Sequence, residues 1–158
     1  MAVLRLALAV AALIAVAAPH AADARRGRSR SHASSGTAVQ LGLGADWLLD
    51  PESGDFQLTF AASRYIAQNV SFGARFGALF LTDPGRVGVP IDARLRFHLD
   101  RLYIEGLVGP WIIFDDDDAL RFHAGIGFGM YTRSFQLGLE LGYLDPTGMV
   151  GLRLAFPF

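Results

Sequence analysis

Apolar residues occupy alternate positions along most of this chain from Val39 to Phe158. In the clearest stretch the apolar residues are Val89, Ile91, Ala93, Leu95, Phe97 and Leu99. The residues between them are Pro90, Asp92, Arg94, Arg96 and His98. A period of two is that of a β-strand whose two faces meet different surroundings. The pattern recurs in eight segments, so eight strands are predicted: Thr37–Leu48, Asp55–Ile66, Val70–Leu81, Val89–Leu99, Leu102–Phe114, Ala119–Tyr131, Phe135–Leu144 and Met149–Phe158.

The hydrophobicity of the chain indicates that these strands cross a membrane. Hydrophobic residues make up 52% of the 158 residues, and the mean hydropathy is +0.33. Beyond the N-terminus, however, no apolar run approaches the ~20 residues that a membrane helix needs. Alternation spreads the apolar residues as the wall of a membrane barrel would. The sequence therefore predicts an all-β, eight-stranded, antiparallel up-and-down transmembrane β-barrel.

Alternation alone leaves open which face is inside, since a soluble, ligand-carrying barrel would turn its apolar rows inward. Two features favour an apolar exterior. The polar face is rich in glycine, which weakens strands and brings no advantage on a face exposed to water. In the narrow lumen of an eight-stranded barrel, by contrast, small residues are needed because there is little space for side chains. The apolar rows are uniformly large, with Phe in most strands, and would overfill that lumen. We therefore expect the apolar rows to face lipid.

The N-terminal residues are not expected to belong to the barrel. A thirteen-residue apolar run, Leu6–Ala18, precedes Pro19 and the small-x-small sequence Ala22-Asp23-Ala24. These features predict a Sec-type signal peptide over residues 1–24, with a short buried helix as the alternative. Residues 25–36 are rich in Arg, Ser and Gly and are expected to form a disordered basic periplasmic tail, either solvated or in contact with anionic envelope polymers or lipid head groups. The barrel is assigned to residues 37–158.

The connections between the predicted strands alternate in length. Residues 67–69, 100–101 and 132–134 form tight turns, whereas residues 49–54, 82–88, 115–118 and 145–148 are mostly longer and contain Pro, Gly and Asp. Outer-membrane barrels have short periplasmic turns and longer extracellular loops. The lengths therefore predict that the tight turns lie in the periplasm.

Two segments carry a family resemblance. In the last eight residues, apolar side chains occupy every second position up to the terminal aromatic residue: Leu152, Leu154, Phe156 and Phe158. This segment resembles the assembly signal of outer-membrane barrels. Residues 64–73 resemble the aromatic-turn-Asn-strand segment at the periplasmic turns of such proteins. The chain thus resembles a small eight-stranded outer-membrane β-barrel of the OmpA/OmpX type, without a C-terminal domain.

The resemblance implies a location and a set of partners. Such a protein lies in the outer membrane of a Gram-negative bacterium after Sec-dependent export. Its expected partners are outer-membrane lipid, lipopolysaccharide and the barrel-assembly machinery, and it is expected to be a monomer.

Turn geometry places charged residues opposite one another in the lumen. If residues 100–101 form a two-residue turn, Arg96 faces Glu105. If residues 145–148 form a four-residue loop, Glu140 faces Arg153. Both pairs lie on the inward face, so we expect them to be direct cross-strand contacts.

A third pairing is less favourable. Pairing Phe80 with Val89 sets Arg75 beside Arg94, and like charges directly opposite are destabilising. We therefore expect acids from across the lumen to neutralise this pair, with Asp92, Glu105 and Glu140 as candidates. Three further polar side chains are expected to complete a closed plug, in preference to an open, water-filled channel: Gln40, Gln57 and Gln136.

Composition and motifs exclude several classes of function. The net charge of −1 gives no argument for binding nucleic acid, and the absence of Cys excludes disulfides and thiolate metal sites. His98 and His123 lie at opposite depths of the predicted lumen, so we expect no shared metal, and no cofactor motif is present. The acidic run Asp115–Asp118 is interpreted as a solvated loop, with a divalent-cation site as the alternative.

Some eight-stranded outer-membrane barrels modify lipid A, and a deacylase of that kind carries His and Ser on its lipid-facing side. Here no His or Ser lies at mid-strand in the apolar rows, so no catalytic residue is assigned; Ser63, His98 and His123 become candidates only if the register differs. We predict a closed barrel with a structural or envelope-interaction role. The alternatives are a narrow pore for small solutes or ions, a lipid-modifying enzyme and a soluble carrier.

Overall fold

Eight antiparallel strands form one closed barrel in the computed structural model, which describes residues 37–50, 52–83, 85–114 and 116–158. Each strand pairs with the next one along the chain, and the last strand pairs with the first to close the sheet. The strands are β1 (Thr37–Leu49), β2 (Glu52–Ala67), β3 (Val70–Thr82), β4 (Gly85–Leu99), β5 (Leu102–Ile113), β6 (Leu120–Tyr131), β7 (Gln136–Leu144) and β8 (Thr147–Pro157). The predicted fold class is confirmed.

The signal peptide expected at residues 1–24 and the tail expected at residues 25–36 lie outside the described residues. In the part of the chain that the structure describes, no helix is long and apolar enough to cross a membrane.

The apolar rows point outward. Large apolar side chains on every strand remain exposed, among them Phe72 at 52%, Leu95 at 38% and Leu139 at 40%, while the charged residues that alternate with them are buried. A wall of this kind is stable against hydrocarbon and unstable against water. The structure therefore confirms the lipid-facing assignment and excludes the inward-facing arrangement of a soluble carrier.

Glycines on the inner face allow a close approach that a side chain would block. A Cβ added at Gly109 would lie 1.9 Å from the carbonyl oxygen of Ile91, on the neighbouring strand. A Cβ added at Gly138 would lie 2.3 Å from the hydroxyl of Tyr103, which extends across the lumen. The lumen is therefore filled by backbone and by a few large side chains, as an eight-stranded barrel requires.

The expected difference in loop length is largely wrong. Strands β2, β4 and β8 begin earlier than predicted, because Leu49 pairs with Glu52, Thr82 with Gly85 and Leu144 with Thr147. Only two residues then remain in the connections 50–51, 83–84 and 145–146, and the longest connection is 114–119. Gly, Pro and Asp mark where the chain turns, but the backbone hydrogen bonds of the ladder continue up to the turn itself. Below, the loop end of the barrel is the end with these four connections, and the turn end is the end with connections 68–69, 100–101 and 132–135.

Two local features of the ladder agree with the sequence. Asp100 has a φ of 55°, a left-handed conformation that Asp adopts more readily than most residues. The two-residue turn that it forms with Arg101 sets Leu99 opposite Leu102, as predicted. The register of β2 against β3 shifts between Tyr65 and Ala67, where the apolar alternation of the second strand is lost.

A charge on the outward face should destabilise the barrel in lipid. We expect Leu95→Arg and Leu139→Arg each to lower the free energy of unfolding by roughly 2–4 kcal/mol near the bilayer midplane. Urea unfolding in lipid vesicles measures this cost, and Leu95→Ala is the matched control because it shortens the same side chain without adding a charge. An arginine variant as stable as the alanine control would contradict the outward assignment.

Candidate functional site

The inner face of the barrel carries a group of buried ionisable side chains, here called the lumenal network. Its members come from all eight strands, because every second residue of a strand points inward. They are Asp46, Asp55, Arg75, Asp92, Arg94, Arg96, Glu105, His123, Glu140 and Arg153. Seven of these were predicted from the sequence; the exceptions are Asp46, Asp55 and His123.

Glu140 lies at the centre of the lumenal network and is 1% exposed. Its carboxylate accepts hydrogen bonds from Arg75, with Nη1 at 2.7 Å from Oε2 and Nη2 at 3.2 Å from Oε1. It also accepts one from Nε of Arg153 at 3.0 Å. Arg75 in turn donates to Oδ2 of Asp92 from Nε at 2.9 Å and Nη2 at 2.7 Å. Arg75 therefore joins two carboxylates, and Glu140 joins two guanidinium groups.

The expected like-charge pair of Arg75 and Arg94 is wrong. Phe80 pairs with Val87 and not with Val89, so the residue opposite Arg75 is Asp92. The cause is the 83–84 connection, which is shorter than the predicted loop and moves the register by two residues. The shift replaces a repulsive contact with an ion pair, and the expectation that acids neutralise Arg75 holds for Asp92 and Glu140.

The expected register of β7 against β8 is also wrong, although the contact it predicted exists. Glu140 lies opposite Gly151, and Arg153 lies opposite Gly138, because residues 145–146 alone separate the two strands. The pair is therefore diagonal. Arg153 reaches Glu140 because its long side chain lies among glycines, and its Nη1 also lies 2.6 Å from Oδ1 of Asp46.

Arg96 and Glu105 are directly opposite each other on β4 and β5. Arg96 donates to Oε2 of Glu105 from Nε at 2.8 Å, and its Nη2 lies 2.7 Å from the same oxygen. Its Nη1 donates to Oε1 of Gln136 at 2.6 Å. The guanidinium carbon lies 4.0 Å from the ring centroid of Tyr103, within the range of a cation–π contact. The structure thus places these two residues together as the turn geometry predicted.

Sequence reasoning missed a carboxylate pair near the loop end. Asp46 and Asp55 face each other on β1 and β2, and both are buried. Nε2 of Gln57 donates to Oδ2 of Asp46 at 2.5 Å and to Oδ1 of Asp55 at 3.2 Å. The inward parity of Gly42 and Gly44 on β1 already places Asp46 in the lumen, and the parity of Gln57 does the same for Asp55.

Sequence reasoning also missed the surroundings of His123. Its Nδ1 lies 2.7 Å from Oδ1 of Asp92, and Nε1 of Trp111 donates to the same oxygen at 3.1 Å. Asp92 is thereby held from three sides, since Arg75 occupies its other oxygen. The predicted inward position of His123 is correct, but its partner depended on a register that the sequence did not reveal.

An apolar cluster fills the lumen at the loop end, a feature that the sequence analysis did not anticipate. Its side chains are nearly all inaccessible to solvent, and they are Leu48, Leu79, Leu81, Trp111, Ile113, Leu144 and Met149. The signal was present where alternation fails, as at residues 79–81, where three large apolar residues follow one another. The cluster leaves this end of the barrel closed to water.

At the turn end a serine and a histidine are in contact. Oγ of Ser71 lies 2.9 Å from Nε2 of His98, and the hydroxyl of Tyr131 lies 2.6 Å from Nδ1 of the same ring. Ser71 is on the inner face and 3% exposed. Ser63, the serine named in the sequence analysis, instead accepts a 3.4 Å hydrogen bond from Arg94.

Asp116 anchors the 114–119 connection at the loop end. Nη1 of Arg86 lies 2.9 Å from its Oδ1, and Nη2 of Arg121 binds its Oδ2. Burial by itself raises the pKa of the Asp116 carboxyl. The hydrogen bond from Arg121 and the positive charges of Arg121 and Arg86 have the larger combined effect, so the pKa of this carboxyl lies below its ordinary value. Both oxygens are thus engaged by arginine. Asp115 lies outside the described residues, which contain no group of three or more side chains suited to a metal ion.

The four residues of the expected assembly signal lie on the outward face of β8 or just beyond it. Leu152 and Phe158 are exposed, Leu154 and Phe156 are half-exposed, and the backbone N–H of Phe158 donates to the carbonyl oxygen of Val39 at 3.0 Å. This last strand pairs with the first and closes the barrel. Its role in assembly stays a prediction.

Comparison with known proteins identifies the fold. No protein-family model and no curated protein matches the sequence. Among solved structures, a de novo designed transmembrane β-barrel has a TM-score of 0.59 at 10% identity, over 77% of this chain and 95% of that chain. The outer membrane enzyme PagL has a TM-score of 0.53 at 14% identity, over 77% and 97%. Ail, the attachment invasion locus protein of Yersinia pestis, has a TM-score of 0.51 at 12% identity, over 77% and 97%.

The structure therefore defines a class of protein: the chain has the fold of the small eight-stranded outer-membrane β-barrels. At these identities the similarity concerns the fold alone, and the enzymatic role of PagL and the attachment role of Ail belong to those proteins.

The contact between Arg96 and Glu105 should appear as a coupling energy. Arg96→Gln or Glu105→Gln leaves one buried charge without its partner, which typically costs ~3–5 kcal/mol. The double variant should cost less than the two single changes summed, because neither charge is then stranded. Urea unfolding in detergent or lipid measures all three, and strict additivity would show that the side chains do not interact.

Glu140 should be the more sensitive carboxylate. We expect Glu140→Gln to lower the free energy of unfolding more than Glu105→Gln, because Glu140 hydrogen-bonds two arginines and Glu105 hydrogen-bonds one. The same unfolding measurement compares the two variants, which make the same chemical change at similar burial. Equal losses would argue against the central place of Glu140.

Proposed function

We propose that the chain is a closed, monomeric outer-membrane barrel with a structural or envelope-interaction role. The observation that carries this proposal is the filled lumen. The apolar cluster lies at the loop end, the ion pairs around Glu140 occupy the centre, and Tyr103, His98 and Tyr131 stand near the turn end. A barrel filled in this way has no open channel for solutes, so its interactions with other molecules would use its outer wall and its connections.

The proposed location is the outer membrane of a Gram-negative bacterium, reached by Sec-dependent export. The outward apolar wall, the fold shared with the outer membrane enzyme PagL and the alternating residues of β8 support it. The partners that this location supplies are outer-membrane lipid, lipopolysaccharide and the barrel-assembly machinery.

A narrow pore is the second candidate, and one observation favours it. Several buried polar atoms of the lumen have no hydrogen-bond partner, including Oε1 of Gln57 and Nη2 of Arg153. Such atoms are normally satisfied by water. Conduction would further require the apolar cluster around Trp111 and Ile113 to open.

Planar-bilayer recordings separate the two candidates. We expect the wild-type barrel to give no stable conductance steps, because the apolar cluster excludes water from the loop end. The double variant Trp111→Ala/Ile113→Ala removes two large, fully buried side chains of that cluster and should raise the frequency of openings. Ile112→Ala is the matched control, since it shortens an outward side chain of the same strand. Regular conductance by the wild-type protein would refute the closed barrel.

We also propose that the protein is not an enzyme. PagL shows that a barrel of this fold can be catalytic, so the contact of Ser71 with His98 requires a test. Lipids meet the outer wall, whereas Ser71 is buried on the inner face, and a lipid ester would have to enter the lumen to reach it.

Mass spectra of lipid A test this proposal. We expect identical spectra from cells that lack the protein, contain it, or contain Ser71→Ala. A folded barrel in the membrane, verified by its heat-modifiable mobility on gels, is the control for expression. A lipid species that forms with the wild-type protein and disappears with Ser71→Ala would overturn the proposal and identify the nucleophile.

A further inference from the structure

Arg94 is the least neutralised arginine of the lumenal network. Arg94 is 3% exposed, and its Nε has no hydrogen-bond partner among the described residues. The nearest carboxylate is that of Glu105, whose Oε2 lies 3.9 Å from Nε of Arg94 but 2.7 Å from Nη2 of Arg96. A buried guanidinium whose charge is only partly compensated is costly. The site therefore favours an additional acceptor that carries negative charge.

The other lumenal carboxylates cannot supply this charge. Asp92 and Glu140 bind Arg75, and Asp46 lies against Arg153. Asp55 lies opposite Asp46, at the end of β2 nearer the loop end. On β4 the residues Asp92, Arg94 and Arg96 follow one another toward the turn end. Among the described residues, the part of the lumen nearer the turn end thus contains two arginines and a single carboxylate, that of Glu105.

A small cavity lies beside this surplus of positive charge. Its volume is about 30 Å³, and its charged lining consists of Arg75, Arg94, Arg96, Arg153 and Glu105. The small side chains of Ala61 and Ala155 leave the space open. A cavity of ~10–15 Å³ by this measure holds one water molecule, so the space fits one monatomic anion with at most one water and is too small for a polyatomic anion with its hydration.

We propose that the lumen binds one small monovalent anion, of the size of chloride, between Arg94 and the neighbouring guanidinium groups. The anion accepts hydrogen bonds from guanidinium N–H groups, including the free Nε–H of Arg94, and offsets the charge that Glu105 shares between two arginines. Water in the same place would accept a hydrogen bond but would not neutralise the charge. This proposal is independent of the role of the barrel in the envelope.

Bromide is the probe that tests the proposal directly, because its anomalous scattering distinguishes it from water. Crystals of the full chain in detergent, grown with sodium bromide, should show an anomalous peak within hydrogen-bond distance of Nε of Arg94. In solution, the ³⁵Cl resonance of sodium chloride should broaden on addition of the barrel, and free bromide should reverse the broadening. Arg94→Gln should abolish both signals. Arg133→Gln, the same change at an exposed turn residue, should leave both intact.

A second variant keeps the test valid if Arg94→Gln does not fold. Ala61→Leu fills the cavity while preserving every charge of the lumenal network, and it should lose the peak and the line broadening. A wild-type map with no anomalous signal in the cavity would overturn the proposal. Retention of the bromide peak in Arg94→Gln or in Ala61→Leu would overturn it equally, because the anion would then be held elsewhere.

Discussion

The narrow bore of an eight-stranded barrel is the constraint on which the rest of this structure depends. A closed sheet of eight strands leaves an interior just wide enough for its own side chains. Glycine therefore stands wherever a neighbouring strand or Tyr103 occupies the space, as at Gly109 and Gly138. Most of the large apolar side chains inside the lumen belong to the apolar cluster, and most of the others cover the outer wall. One geometric limit thus sets both the composition of the lumen and the apolarity of the exterior.

The same limit governs the electrostatics. Ionisable side chains that point into so narrow a space lose most of their water, so their stability depends on partners across the lumen. Glu140 and Arg75 meet this need because they come from β7 and β3, on different sides of the barrel, and join more than one partner each. The contacts therefore tie non-adjacent strands together, in addition to the backbone ladder that joins adjacent ones. Arg94 has less negative charge around it, so the positive charge of its guanidinium group is only partly compensated.

The sequence determines the faces of the strands more reliably than their partners, and the reason is geometric. A period of two distinguishes inward from outward residues, and a register shift of two residues leaves that distinction unchanged. The inward positions of Arg75, Asp92 and Arg153 were accordingly predictable. Their cross-strand neighbours were not predictable, because Gly, Pro and Asp mark a turn without setting its length. The shorter turn at residues 83–84 places Asp92, and not Arg94, opposite Arg75. Where the turn length was evident, at residues 100–101, the pairing of Arg96 with Glu105 followed correctly.

The lumen is not symmetrical along its axis, and this asymmetry limits how anything could enter it. The loop end is filled by the apolar cluster, whose members Trp111 and Ile113 are inaccessible to solvent, so a charged solute approaching from that side would lose its hydration before meeting any compensating group. At the turn end the first inward side chains are polar, among them Gln40, His98 and Gln136, and the arginines lie behind them. An ion arriving from the turn end would exchange water for hydrogen bonds step by step. The anion that we propose beside Arg94 would therefore enter from the turn end, while the apolar cluster keeps the loop end closed.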